Sequence, residues 1–121
     1  MSLKIKSFTD LIAWQKAHRL VVNIYQLTNK FPPSEKFSLI DQMRRAAISI
    51  SSNIAEGFSR ISKNEKKNFY HIALGFLTEL QNQLLVSKDL GYIEKNSFTQ
   101  SAIQTVEVSK LINGLIKSLN T

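Results

Sequence analysis

The 121-residue sequence predicts an all-α protein, an up-down-up-down antiparallel four-helix bundle, on three observations. Its two prolines and four glycines leave few turns and long uninterrupted segments. Four of those segments repeat apolar residues at spacings of three and four, and none sustains the alternation of a strand. Connections of about four to six residues make sequential helices antiparallel neighbours. The expected helices span roughly 8–30, 35–58, 63–90 and 96–119, in one bundle domain (8–121) behind a short N-terminal tail (1–7).

The first helix opens on Ser7-Phe8-Thr9-Asp10, which fits a capping box: the serine oxygen takes an early backbone N–H and the acid returns to the cap N–H. Its apolar residues, among them Leu11, Ile12, Trp14, Leu20, Val22, Ile24 and Tyr25, cover a wide arc. Pro32-Pro33 ends it, because proline lacks the N–H and disfavours helix in the residue before it. Pro33-Ser34-Glu35 then opens the second helix. That helix has the clearest stripe, Ile40, Met43, Ala47, Ile50, Ile54 and Phe58, flanked by small residues that admit a close neighbour.

Ser62-Lys63-Asn64-Glu65 is a second capping box, at the start of the third helix, whose stripe reads Phe69, Ile72, Ala73, Phe76, Leu80 and Leu84. Gly75 inside it is expected where another backbone crosses, and Gly91 suits a left-handed C-terminal cap. Asn96 or Ser97 is the expected cap of the fourth helix. The fourth, like the first, is apolar over more than the ~100° that a four-helix monomer buries, from Val106 and Val108 to Ile116 and Leu119. A second buried face, and hence self-association, is expected.

The net charge of +7 is concentrated. Residues 1–19 hold Lys4, Lys6, Lys16 and Arg19 against Asp10, and residues 44–67 hold Arg44, Arg45, Arg60, Lys63, Lys66 and Lys67 against Glu56 and Glu65. The other two stretches are balanced. In an antiparallel bundle Lys4, Lys6, Arg60, Lys63, Lys66, Lys67 and Lys117 gather at one end. Such a pole binds phosphates without reading bases.

Enzyme chemistry finds no support in the inventory. The absence of cysteine rules out disulfides, thiolate metal sites and cysteine nucleophiles. No Glu-x-x-His or His-Glu-x-x-His motif is present, so no metal is expected, and no Gly-rich loop follows a strand to hold a nucleotide cofactor. The Arg-x4–6-His spacing of small helical RNases is missing at His18 and His71, which read as boundary histidines. Trp14, at helical spacing from Leu11 and His18, reads as core, and Tyr70 beside Lys66 and Lys67 is the better ring for stacking on a base. Arg44 lies on the flank of the second helix's seam, where its stem packs and its guanidinium reaches a neighbouring helix, with Glu79 as candidate partner.

The run Arg44-Arg45-Ala46-Ala47-Ile48-Ser49-Ile50-Ser51-Ser52-Asn53-Ile54-Ala55-Glu56-Gly57 resembles a bacterial four-helix-bundle family encoded in intervening sequences of 23S rRNA genes. The likeness extends to Phe8-x-x-Leu11-x-x-Trp14-Gln15-Lys16-Ala17, Phe31-Pro32-x-x-Glu35 and Glu79-Leu80 before Leu90-Gly91-Tyr92-Ile93, over roughly residues 8–119. The family commonly has proline where this chain has Ser51. The resemblance implies a ring-shaped homopentamer, related to basic, nucleic-acid-binding accessory proteins of diversity-generating retroelements. It reads Asn53, Glu56 and Gly57 first as bundle geometry, with Glu56 available to pair a basic residue.

The expectation is therefore a non-enzymatic, cytoplasmic, oligomeric bundle without cofactor or metal. It binds nucleic acid, RNA first, through Arg45, Arg60, Lys63, Lys66 and Lys67, while Arg44, Asn53, Glu56, Gly57 and Glu79 serve structure. The alternative is a structural or adaptor bundle that holds a protein partner on its apolar helix faces. No apolar run approaches the ~18 residues that span a bilayer, so no membrane partner is expected.

Overall fold

The computed structural model describes residues 4–120. Four helices account for most of them: α1 (Ile12–Thr28), α2 (Leu39–Ser59), α3 (Lys63–Asp89) and α4 (Lys95–Ser118), with no strand among the described residues. Residues 1–3 of the expected tail and Thr121 lie outside them.

Cross-helix contacts fix the directions. Asn23 of α1 donates its amide to Gln104 (2.7 Å) and Ser101 (3.1 Å) of α4, while the earlier Lys16 pairs with the later Glu107 at 3.4 Å. Lys67 reaches Asn120 just past α4 (2.8 Å), and Gln81 of α3 reaches Thr105 of α4 (3.1 Å). Ser87 meets Met43, and Lys66 meets Phe58, across α3 and α2. In each pair one residue number rises as the other falls. So α1 opposes α4, α4 opposes α3 and α3 opposes α2, and α1 packs beside α2 to close the ring.

Local chemistry sets the helix ends, with corrections to the expected bounds. The Ser7–Asp10 capping box forms, with Ser7 Oγ accepting from Thr9 N–H (3.0 Å) and Asp10 Oδ2 from Ser7 N–H (3.2 Å). It closes a single 3-10 turn, Phe8–Asp10, and the extended backbone of Leu11 (ψ 127°) separates that turn from α1. Pro33 likewise opens a 3-10 turn (Pro33–Glu35) and α2 starts only at Leu39, because Ser38 leaves the helical region. Ser62 caps α3 as expected, accepting from Glu65 N–H at 3.0 Å. The N-cap position of α4 is held by Glu94, whose side chain makes no capping bond; Asn96 and Ser97 fall inside the first turn.

Gly91 ends α3 with φ +81°. Its N–H bonds the Lys88 carbonyl (3.0 Å) and the Tyr92 N–H bonds Ser87 (2.9 Å), the pairing of a Schellman cap. The left-handed backbone, not space, requires glycine here, since nothing lies within 4 Å of where a Cβ would stand.

The α2 stripe is the spine of the core. Met43, Ala47, Ile50 and Ile54 are fully buried, and α2 runs unbroken through Ser51. On α3 the buried row is Tyr70, Ala73, Leu77, Leu80, Leu84 and Ser87. Ile72 is therefore exposed and Phe69 and Phe76 are half-buried, because the true row lies one position off the expected one at its N-terminal end. Gly75 faces open space and marks no crossing. The close crossing is at Gly57, where a Cβ would stand 2.6 Å from the Tyr70 ring.

Candidate nucleic-acid interface

The antiparallel order brings the starts of α1 and α3 to one end of the bundle with the ends of α2 and α4. Cut at the helix midpoints (residues 20, 49, 76 and 106), the molecule has two unequal halves. The half at that end holds Lys4, Lys6, Lys16, Arg19, Arg60, Lys63, Lys66, Lys67, Lys110 and Lys117 against Asp10, Glu56, Glu65 and Glu107, a net of +6. The other half holds six cations and five carboxylates, a net of +1.

The predicted contact residues divide accordingly. Arg60 is exposed at the C-cap of α2, with its guanidinium carbon 4.6 Å from the Phe69 ring centroid. Lys63 is exposed at the first position of α3, and Lys67, half-buried one turn on, donates to Asn120 Oδ1. Lys63, in the first turn of α3, sits at the positive end of the helix dipole, which costs a few tenths of a kcal/mol.

Lys66 does different work. Its ammonium donates to the carbonyls of Phe58 (2.6 Å) and Gly57 (3.5 Å), and lies 5.3 Å from the Phe58 ring. It closes the C-terminal end of α2, where a cation offsets the negative end of the dipole. Arg45 also departs from the expected set. It is exposed near the start of α2, about fifteen residues before Arg60, or ~22 Å along the axis.

The Arg44 guanidinium reaches a neighbouring helix, but meets partners other than Glu79. Its Nε–H donates to Thr28 Oγ1 (2.9 Å) and its Nη2 to Asn29 Oδ1 (2.9 Å) and the Tyr25 carbonyl (3.4 Å), with the guanidinium 4.5 Å from the Tyr25 ring. Those groups belong to the end of α1, not to Glu79, because this flank of α2 faces α1. Glu79 lies across the other flank, where it lines a groove of about 220 Å³ with Arg45, Gln42, Ser49 and Phe76. Its carboxylate accepts from Gln83 Nε2 at 3.3 Å.

In the Asn53–Gly57 block, the Asn53 amide turns back to the Ser49 carbonyl (2.7 Å) and Gly57 is buried under Tyr70. Glu56 is exposed, and its carbonyl accepts the Ser59 hydroxyl (2.7 Å). Tyr70 itself is only 3% exposed, and burial pushes its phenol pKa up. It is a core ring and offers no face to a base. Trp14 is half-buried rather than core and stacks on His18. The one-turn spacing of Trp14 and His18 was the available signal for that pair.

An apolar surface accompanies the charge. Ile103 and Val106 of α4 are exposed and line adjoining grooves with Ala102, beside the exposed Leu85 of α3. Among the described residues no three His, Asp or Glu side chains converge as a metal set, and no helix is long and apolar enough to cross a membrane.

No curated protein matches the chain. Among solved structures it is similar to the crystal structure of a protein with unknown function from the S23 ribosomal protein family of Bacteroides thetaiotaomicron. Identity is 25% and the TM-score 0.81, over 88% of this chain and 96% of that one. The model of the 23S rRNA-intervening sequence protein family matches residues 9–114, which contain nearly all of the four helices and the whole of the Arg44–Gly57 block. By that match the chain belongs to the 23S rRNA-intervening sequence protein family.

Proposed function

We propose that the protein is a non-enzymatic, oligomeric, cytoplasmic bundle that binds nucleic acid, RNA in the first place, through the positive end of its subunits. The observation that carries this reading is the charge asymmetry, +6 in one half against +1 in the other. Arg60, Lys63 and Lys67 are its contact residues; Lys66 supports them by closing α2, and Arg45 falls outside the surface.

Contacts of this kind neutralise phosphates and release counterions, so affinity falls steeply with salt. Self-association on the apolar strip of Ile103 and Val106 repeats the positive end in one particle and raises avidity. Five copies is the number implied by the resemblance.

Filter binding of RNA at low and at moderate salt tests the reading, with light scattering on the same samples. Binding at low salt that weakens at moderate salt is expected, from a particle larger than one subunit. Failure to bind at low salt removes the proposal.

The same apolar strip favours a second reading, an adaptor that holds a protein partner. Val106→Glu separates the two. Partner capture that survives nuclease treatment and is lost in the variant supports the adaptor.

A further inference from the structure

Three rings along α1 and the turn before it have no part in the phosphate contacts of the positive end. Phe8, in the turn that precedes α1, meets Trp14 edge to face, with centroids 5.2 Å and planes 68° apart. One helical turn further, His18 lies almost parallel to the indole, with centroids 4.8 Å and planes 16° apart. The i,i+4 spacing puts both rings on one face of α1.

The ladder is anchored at one end and exposed at the other. Phe8 belongs to a turn packed against α2 and is half-buried, as is Trp14, while His18 is exposed. A solitary surface imidazole samples several rotamers; one laid flat on an indole keeps a single plane. The rings also sit in the positive half, where Trp14 and His18 share α1 with the exposed Arg19, which adjoins His18 in sequence.

The geometry points to a base-stacking site for single-stranded nucleic acid: an unpaired base lies on His18 and extends the Phe8–Trp14–His18 ladder, and Arg19 takes the adjoining phosphate. This rests on the nucleic-acid reading of the positive end and adds what the charge does not set, the strandedness of the ligand. A duplex keeps its base faces stacked on one another, whereas a single strand offers them to aromatic rings. The site is tolerant of sequence, because every base has such a face.

Trp14 is the sole tryptophan and stacks on His18, so its fluorescence reports the site through that ring. The probes are a uridine oligomer about twelve nucleotides long, an abasic oligomer of that length, and an RNA duplex. Quenching of Trp14 by the uridine oligomer and not by the abasic one is expected. Anisotropy of the labelled uridine oligomer should show a loss of about tenfold in affinity for His18→Ala, a largely retained affinity for His18→Phe, and an unchanged affinity of both for the abasic oligomer.

Circular dichroism melts establish that both variants fold; should His18→Ala be unstable, His18→Gln, which also removes the ring, replaces it with the same probes. Equal affinity of His18→Ala and the parent protein for the uridine oligomer overturns the stacking site, as does equal quenching by the abasic oligomer or tighter binding of the duplex. Those results leave phosphate binding at the positive end standing. Absence of binding to all three probes at low salt overturns both readings.

Discussion

Gly57 carries the tightest steric requirement among the glycines. The methyl group of Gly57→Ala would stand 2.6 Å from Tyr70 Cε1 and 3.1 Å from Phe69 Cβ, so the buried Tyr70 ring has to move. Overpacking of this kind costs about 1–3 kcal/mol. Urea unfolding followed by circular dichroism should show the midpoint fall accordingly. Gly75 is the opposite case, with helical backbone and open space. Gly75→Ala should raise subunit stability by up to ~1 kcal/mol in the same measurement, since alanine is the better helix former. Sequence pattern puts both glycines in helices and assigns the close approach to Gly75. Helical periodicity finds a residue's face but not the depth to which a neighbouring ring enters it.

Among the helices and their connections, bonds at the helix ends add to the stability of the buried core. Lys66 places a cation on the last carbonyls of α2, at 2.6 Å from Phe58 O. Lys66→Ala should lower the unfolding free energy by about 1 kcal/mol, with Lys66→Arg recovering part of it; a urea series on the three proteins measures both. The opposite end of the bundle has a latch between two connections. Tyr92, after α3, donates to Glu35 Oε1 at 3.3 Å, and Ser38 Oγ donates to the other carboxylate oxygen at 2.7 Å.

The Ser38 hydroxyl first, with the Leu39 N–H and the Tyr92 hydroxyl, holds the Glu35 pKa below its ordinary value of 4.5. A carboxyl that ionises more readily in the folded state stabilises the fold above the unfolded-state value. That contribution disappears as pH falls through the lowered folded-state value. Melting temperatures measured between pH 7 and pH 3 should therefore fall less on acidification for Glu35→Gln than for the parent chain. The serine caps at Ser7 and Ser62 were legible in the sequence because each is a local pattern of four residues. The Lys66 cap and the Glu35–Tyr92 latch were not, because each joins elements that only the folded bundle brings together.

In the molecule as a whole, charge and topology act together. Lys63→Glu with Lys67→Glu reverses two cations of the positive end and should weaken RNA binding at low salt. For every phosphate that the variant no longer neutralises, the log–log salt slope should shrink by about 0.7. Lys63 is exposed, but Lys67 is half-buried and loses its bond to Asn120, so the melting temperature should fall slightly. Filter binding over a salt series, beside a melt of the same preparation, checks both expectations. An unchanged slope would show that the phosphates are held elsewhere.

Four helices, their antiparallel order, the α2 core stripe and the segregation of charge are all readable from the order of residues. Each follows from local spacing, from loop length or from counting. That Arg44 reaches a neighbouring helix is readable too, since a long side chain on the edge of a seam can pack its stem and extend its head. Which groups those side chains meet is settled by the packing of the bundle. Packing turns Arg44 toward Thr28 and Asn29, puts Glu79 beside Arg45, assigns Lys66 to the end of α2, and draws Tyr70 into the core over Gly57. The reason is geometric: one residue step rotates a helical side chain by about 100°, so a small error in facing exchanges one neighbour for another. A net charge of +7 thereby resolves into a positive end with Arg60, Lys63 and Lys67 on its surface.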